Sequence, residues 1–265
     1  IAVVRRPSTR STPTGIEVVT PVIGLAATLR DADDITAALR AAADELSIVD
    51  ALLRGVPGVR LLLKDATVAP ALAHHSGEVH AAVEAIEAAM DAGAALPTAE
   101  LERRNHELIR VRDGVWAITR DRLRAAETVA MLAGDSRDAG ALEALLSVHQ
   151  ALSAIDRLEV RGRDSAGLHL LVHDHALDLD DPALLAAIEA RSGDENFGSG
   201  SVRIVDGVLS VVHKTAAEIG ELGDNSSVIR RAIAEDEILR AALANDTART
   251  LVLGHTRWAS IGIIS

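Results

Sequence analysis

The stretch Leu158-Glu-Val-Arg161-Gly-Arg-Asp164-Ser-Ala-Gly167-Leu-His-Leu-Leu-Val-His-Asp174 is where the chain changes character. Upstream, apolar residues recur at helical spacing. Then comes a connection of charged and small residues, and Leu168–Asp174 reads as a strand. Downstream the spacing predicts a short helix over 181–191 and a Gly/Ser/Asn loop over 192–201. Val202-Arg-Ile-Val205, Asp206-Gly207 and Val208-Leu-Ser-Val-Val-His213 follow as a hairpin, because Asp-Gly suits a tight primed turn. Helices are expected over 214–222 and 226–245. Arg249-Thr-Leu-Val-Leu-Gly-His255 reads as a buried strand. Strands and helices mixed in this way predict an α+β fold.

Outward toward the N-terminus the pattern is helical. Asp31, Asp33 and Asp34 offer capping and first-turn acids. Ile35, Leu39, Ala42, Leu46, Val49 and Leu53 then step by four and three, a narrow seam of the a/d type, and Gly55-Val-Pro-Gly58 is expected to end that helix. A second helix over 66–92 carries Val68, Leu72, Val79, Val83, Ile86 and Met90 on one face. A third, over 98–134, would be about 50 Å long if unbroken, with Gly114 weakening its middle. Such lengths with short connections imply an antiparallel hairpin or small bundle. Ile1-Ala-Val-Val4 is a short apolar run of strand type, and 7–15 reads as a loop. Residues 1–16 therefore belong with 139–265 in one α+β domain, and 17–138 form a helical insertion.

The chain has 265 residues, 27 basic against 39 acidic side chains for a net charge of −12, and no cysteine. The negative balance argues against a nucleic-acid partner or an anionic membrane surface. No apolar run reaches the length of a membrane-spanning helix, and the N-terminal residues lack a signal-peptide pattern, so the expected location is cytoplasmic. The absence of cysteine excludes a disulfide framework, Cys-ligated zinc and any thiol nucleophile within these residues. Aromatic residues are limited to Phe197, Trp116 and Trp258, so the core must come from Leu, Ile, Val and Ala.

Most candidate chemistry has a plain alternative. His169, His173 and His175 share parity along one strand and its end, which suits either a metal or an exposed sheet face; no second cluster favours the metal. His74, His75 and His80 lie on a helix, but His75 and His80 miss the four-residue spacing of a helical metal pair, so they read as solvated or interfacial and no metal is expected. Asp178-Leu-Asp-Asp181 and Glu235-Asp-Glu237 read as helix starts and solvated faces. Gly198-Ser-Gly200 lacks the strand-and-helix setting of a phosphate loop. Two stretches are less ordinary. Arg161–Gly167 packs charge and glycine between helix and strand, and His255-Thr256-Arg257-Trp258-Ala-Ser260 places a guanidinium after a buried strand. Arg257 suits bidentate carboxylate capture or a surface stack on Trp258.

Together these segments resemble the class II, N-terminal-nucleophile glutamine amidotransferases, closest to the glutaminase domain of the glutamine–fructose-6-phosphate aminotransferases, the glucosamine-6-phosphate synthases. That family has Leu-Glu-Tyr-Arg-Gly-Tyr-Asp-Ser-Ala-Gly where this chain has Leu158-Glu-Val-Arg161-Gly162-Arg163-Asp164-Ser165-Ala-Gly167. It has His-Thr-Arg-Trp-Ala-Thr-His-Gly where this chain has His255-Thr256-Arg257-Trp258-Ala-Ser260-Ile261-Gly262. Ile1–Val4 is similar to the strand after the family's N-terminal Cys-Gly-Ile. The resemblance covers about half the chain and leaves the insertion unmatched.

The resemblance implies an incomplete N-terminal-nucleophile αββα sandwich carrying the helical insertion. It implies a Cys nucleophile just before Ile1, so that this chain holds no catalytic residue of its own and should be inactive alone. It implies L-glutamine as substrate, bound through Arg257, Trp258, Ser260 and Thr256, with Arg161, Gly162, Asp164 and Ser165 lining the site. Ammonia would pass to a sugar phosphate on a sugar-isomerase domain outside this sequence; no cofactor is implied, and a homo-oligomer is left open. Ile261 stands in place of the family His and Arg163 in place of Tyr. The Asn-Gly of the oxyanion site and the acid that holds the glutamine amine would lie past Ser265. The departures keep a second expectation alive: a non-catalytic glutamine-binding or scaffold relative that uses the helical insertion for protein interaction.

Overall fold

The computed structural model describes residues 1–5, 8–93, 96–158, 164–193, 198–216, 221 and 223–257. It is a mixed α+β structure whose residues fall into two compact units. One comprises Ile1–Pro7 with Thr128–Ser265, the other Ser8–Glu127. No helix among the described residues is long and apolar enough to cross a membrane.

The Ser8–Glu127 unit is helical. Thr14 opens α1 (Gly15–Val19) with a reciprocal capping box, its side chain accepting from the Glu17 N–H while the Glu17 carboxylate accepts from the Thr14 N–H. A 3₁₀ turn over Thr20–Val22 leads to α2 (Leu25–Asp31). Asp34 caps α3 (Ile35–Leu53), accepting from the Ala37 N–H at 3.0 Å. Leu39, Ala42, Leu46, Val49 and Leu53 of the seam are all buried. α3 ends at Leu53, as the Gly55–Gly58 stretch predicts, but Gly55, at φ 75°, turns the chain and starts a further helix, α4 (Gly55–Lys64). Next come α5 (Val68–Ala92) and α6 (Thr98–Trp116).

Gly114 has a packing role, not a weakening one. A Cβ there would meet the Leu46 Cβ at 2.8 Å, so the glycine lets α3 and α6 approach closely. The helix continues past it as a π-helical segment over Ala117–Leu123 and then α7 (Arg124–Ala133). Two buried carboxylates fasten these helices. Glu107 of α6 accepts from Arg40 of α3 at 3.0 Å and from Arg110 at 2.6 Å. Asp50 of α3 accepts from Arg54 and, at 2.7 Å, from Arg122.

The other unit is built on one five-stranded antiparallel sheet in the order β1-β5-β2-β4-β3. The strands are β1 (Ala2–Val4), β2 (Ser165–His173), β3 (Val202–Val205), β4 (Val208–Ala216) and β5 (Arg249–Arg257). α8 (Ala139–Leu158) precedes β2, and α9 (Pro182–Ser192) follows it with Asp181 as its cap. α10 (Asp224–Glu235) and α11 (Glu237–Ala242) connect β4 to β5. α8 packs on β5 and α10 on β2 and β4. The strand faces alternate accordingly. Ala166, Leu168, Leu170, Val172, Leu209, Val211 and Val252 are buried, while on the opposite face Val4 is 72% and Leu253 37% exposed.

Several boundaries differ from the periodicity reading. Lys214–Ala216 is strand, not helix, because β4 keeps pairing with β2 as far as Ala216 opposite Ser165; residues 217–220 and 222 lie outside the described set. The helix expected over 226–245 is two helices, broken at Asp236, which caps α11 through the Leu239 N–H. Asp206 and Gly207 turn the β3–β4 hairpin with φ 51° and 73°, as an Asp-Gly primed turn requires.

Candidate functional site

The two segments singled out in the sequence lie side by side. β2 and β5 pair so that Ser165 is opposite Arg257, Ala166 opposite Thr256 and Gly167 opposite His255. The Asp164 N–H donates to the Arg257 carbonyl at 3.1 Å and extends this pairing by one bond. β1 begins at the same end of β5. The Ile1 nitrogen donates to the Gly254 carbonyl at 2.8 Å, and the Gly254 N–H returns a bond to the Ile1 carbonyl at 2.9 Å.

Strand alternation sorts these residues between faces. Arg257, His255, Ser165 and Gly167 share the face opposite the helices. Thr256 shares the other with the buried Gly254 and Val252. Arg257 and Ser165 are thus direct cross-strand neighbours, with Cβ atoms about 4.5–5.5 Å apart. Asp164 and Ser165 of the expected lining residues, and Arg257 and Thr256 of the expected binding residues, are at this end. Trp258, Ser260, Arg161 and Gly162 lie outside the described residues, as do Arg163, Phe197 and Ile261.

The glycines here have steric reasons. A Cβ at Gly167 would meet the His255 ring, with Cε1 at 2.6 Å, so that ring lies across Gly167. A Cβ at Gly254 would meet Leu168 Cδ2 at 3.0 Å and Ile155 Cδ1 at 3.2 Å, so Gly254 lets α8 sit close on the sheet. His255 was part of the quoted motif without a role of its own; Gly167, the glycine that closes the other motif, was the signal for it, since only a register between distant strands joins the two.

The same face carries further polar groups. Lys214 is opposite Gly167 on the β4 side, and His169 Nε2 is 2.7 Å from Ser210 Oγ. Burial lowers the His169 pKa and favours its neutral form. In a chain of net charge −12, this end of the sheet gathers Arg257, Lys214 and His255. Its chemistry suits a carboxylate: a planar guanidinium fork with further donors beside it.

The other candidates separate. His173 is exposed, and Asp174 takes φ 51°, so the alternation stops before His175. Gly198–Gly200 pairs with β4 instead of cradling an anion: the Gly200 N–H donates to the Val212 carbonyl at 2.7 Å and its own carbonyl accepts from Arg191 Nε at 2.6 Å. Asp236 is not a solvated acid. It is buried and accepts from both Arg191 Nη atoms at 2.9 and 2.7 Å, with His213 Nε2 at 3.0 Å. This cluster ties α9, β4 and α11 together. His213 is itself buried, which makes the pair a structural one. No family model, curated protein or solved structure matches the chain.

Proposed function

We propose that this chain is part of the glutaminase domain of a class II glutamine amidotransferase, of the kind found in the glucosamine-6-phosphate synthases. The observation that supports it is the pairing of Asp164–Gly167 with His255–Arg257, beside the start of β1. Three segments that resemble the family in sequence thereby share one end of one sheet, although they are far apart in the chain.

In this reading Arg257 holds the α-carboxylate of L-glutamine, and Asp164 and Ser165 border the reacting end. The nucleophilic Cys precedes Ile1. A strand continued upstream from Ile1 along the β1–β5 register runs past His255 and Arg257, which supports a reading with such a residue nearby. Its thiolate attacks the side-chain amide carbon, and the α-amino group carries the thiol proton to the departing ammonia. Water then hydrolyses the thioester to release glutamate. Ammonia passes to a sugar-phosphate acceptor held by a separate domain. The sheet is one layer of an αββα sandwich, and the face bearing Val4 and Leu253 is the one the second layer covers.

The test uses a protein that extends upstream of Ile1 through the Cys position, assayed for ammonia and glutamate from L-glutamine. Cys→Ala there should abolish release. Arg257→Lys should raise KM roughly tenfold or more, because hydrogen bonds to charged groups are worth about 1.5–3 kcal/mol. The 265-residue chain, which has no cysteine, should release none. Absence of glutamine-dependent ammonia from a protein with Cys in place overturns the reading. Glutamine binding without turnover, in a protein lacking that Cys, instead supports a non-catalytic relative.

A further inference from the structure

A second cluster lies on the helical unit and is independent of the sheet site. His74, His75 and Glu78 on α5 bring one ligand atom each to within 4.8 Å of one another. His75 Nδ1 is 2.9 Å from Glu78 Oε2, and His74 Nε2 is 3.8 Å from Glu78 Oε1. The two rings are tilted by 60° with centroids 5.0 Å apart, so neighbouring residues aim different nitrogens at one carboxylate. The sequence spacing hid this, because the third donor is a carboxylate at i+4 and i+3, not a second histidine pair.

We propose that His74, His75 and Glu78 form a site for a borderline divalent transition-metal ion of the Zn²⁺ or Ni²⁺ type, with water completing the coordination. Two imidazoles and one carboxylate are the donors such ions prefer over Mg²⁺ or Ca²⁺. Metal–donor bonds of about 2.0–2.2 Å place neighbouring donors roughly 3.4 Å apart. The two separations from Glu78, 2.9 Å to His75 and 3.8 Å to His74, bracket that value, so small side-chain rotations bring the carboxylate and both rings onto one ion.

The surroundings fit the assignment. Gly77 lies three residues after His74 in the middle of a 25-residue helix. A Cβ there would meet nothing within 4 Å. Glycine in a helix interior costs about 1 kcal/mol relative to Ala, and packing does not require it here. What it does leave is clear space on the helix surface three residues from His74 and one from Glu78.

The experiment is calorimetric titration of the full chain with ZnCl₂ and, separately, NiCl₂, with Co²⁺ absorption as a second readout. One-to-one binding is expected. His75→Ala and Glu78→Gln should each weaken it at least about tenfold, the lower end of what even an outer-shell partner contributes. His80→Ala, on the same helix, should leave it unchanged. Glu78→Gln keeps the shape of the side chain, so loss of the Co²⁺ bands in a variant with unaltered circular dichroism reports the site and not the fold. Binding that survives the His74→Ala/His75→Ala double variant, or no saturable binding by the wild-type chain, overturns the assignment.

Discussion

The imidazole of His255 lies across Gly167, at a distance that leaves no room for a methyl group: a Cβ at 167 would meet Cε1 at 2.6 Å. Because the obstructing atoms belong to an exposed ring, the ring can move aside. Gly167→Ala should therefore cost about 1 kcal/mol or less in urea unfolding, while shifting the His255 Cε1–H resonance. Gly140→Ala is the contrasting case. There a Cβ would meet the Asn245 carbonyl oxygen at 2.5 Å and Ala248 Cβ at 2.8 Å. Backbone cannot swing away, and the expected cost is about 1–3 kcal/mol, as for overpacked cores. Equal costs for the two variants would contradict the assignment.

Asp236 sets the acid sensitivity of the sheet unit. Burial pushes its carboxyl up, but the hydrogen bonds from Arg191, His213 and the Leu239 N–H outweigh it and hold the group well below the usual carboxylate range. A depressed carboxyl stabilises the fold above its unfolded value of about 3.9 and loses that contribution as pH falls further. Asp236→Asn should destabilise the protein near neutrality by about 3–5 kcal/mol, since it leaves Arg191 without its buried partner. It should also flatten the stability profile below about pH 4. A variant whose acid limb matches wild type would remove Asp236 from this role.

His169 should titrate below the ordinary histidine range in the folded chain, because burial lowers its pKa. A base kept neutral by the fold adds stability above its unfolded pKa of about 6.5, and that contribution fades as pH drops through that value. An NMR titration of the His169 ring measures the folded midpoint directly, and a midpoint at or above about 6.5 would refute the assignment.

Gly77→Ala should stabilise the chain by up to about 1 kcal/mol in the absence of metal, because a Cβ there meets nothing and helix propensity improves. Thermal unfolding of the metal-free protein is the measurement. A lower melting temperature would mean that the glycine is needed for packing.

Local features of the fold were legible because local rules decide them. The seam from Leu39 to Leu53 follows helical spacing, and Asp206-Gly207 is a turn that few other pairs form as well. What was missed depends on partners far away in sequence. Lys214–Ala216 is strand because β2 extends beside it. The helix after residue 226 breaks at Asp236 because that side chain is drawn inward by Arg191 and His213. Gly55 marks the end of α3 as composition predicts, but its positive φ also redirects the chain into a further helix, which composition does not encode. In the candidate site, Arg257 and Ser165 were recognisable as unusual residues. That they are cross-strand neighbours, and that Thr256 takes the opposite face, follows from a register no single segment encodes.

β5 stands between β1 and β2 and pairs with both, although it is the last of the described strands to be synthesised. The Ile1–Gly254 bond spans 253 positions of sequence. During translation β1 must therefore wait, unpaired, until the roughly 250 residues that separate it from β5 have emerged. The helices of Ser8–Glu127 have their partners nearby and can fold first, as low-contact-order structure does. The end of the sheet that gathers Arg257, His255 and Ser165 then assembles only once β5 has emerged, which ties formation of the site to the pairing of β5 with β2.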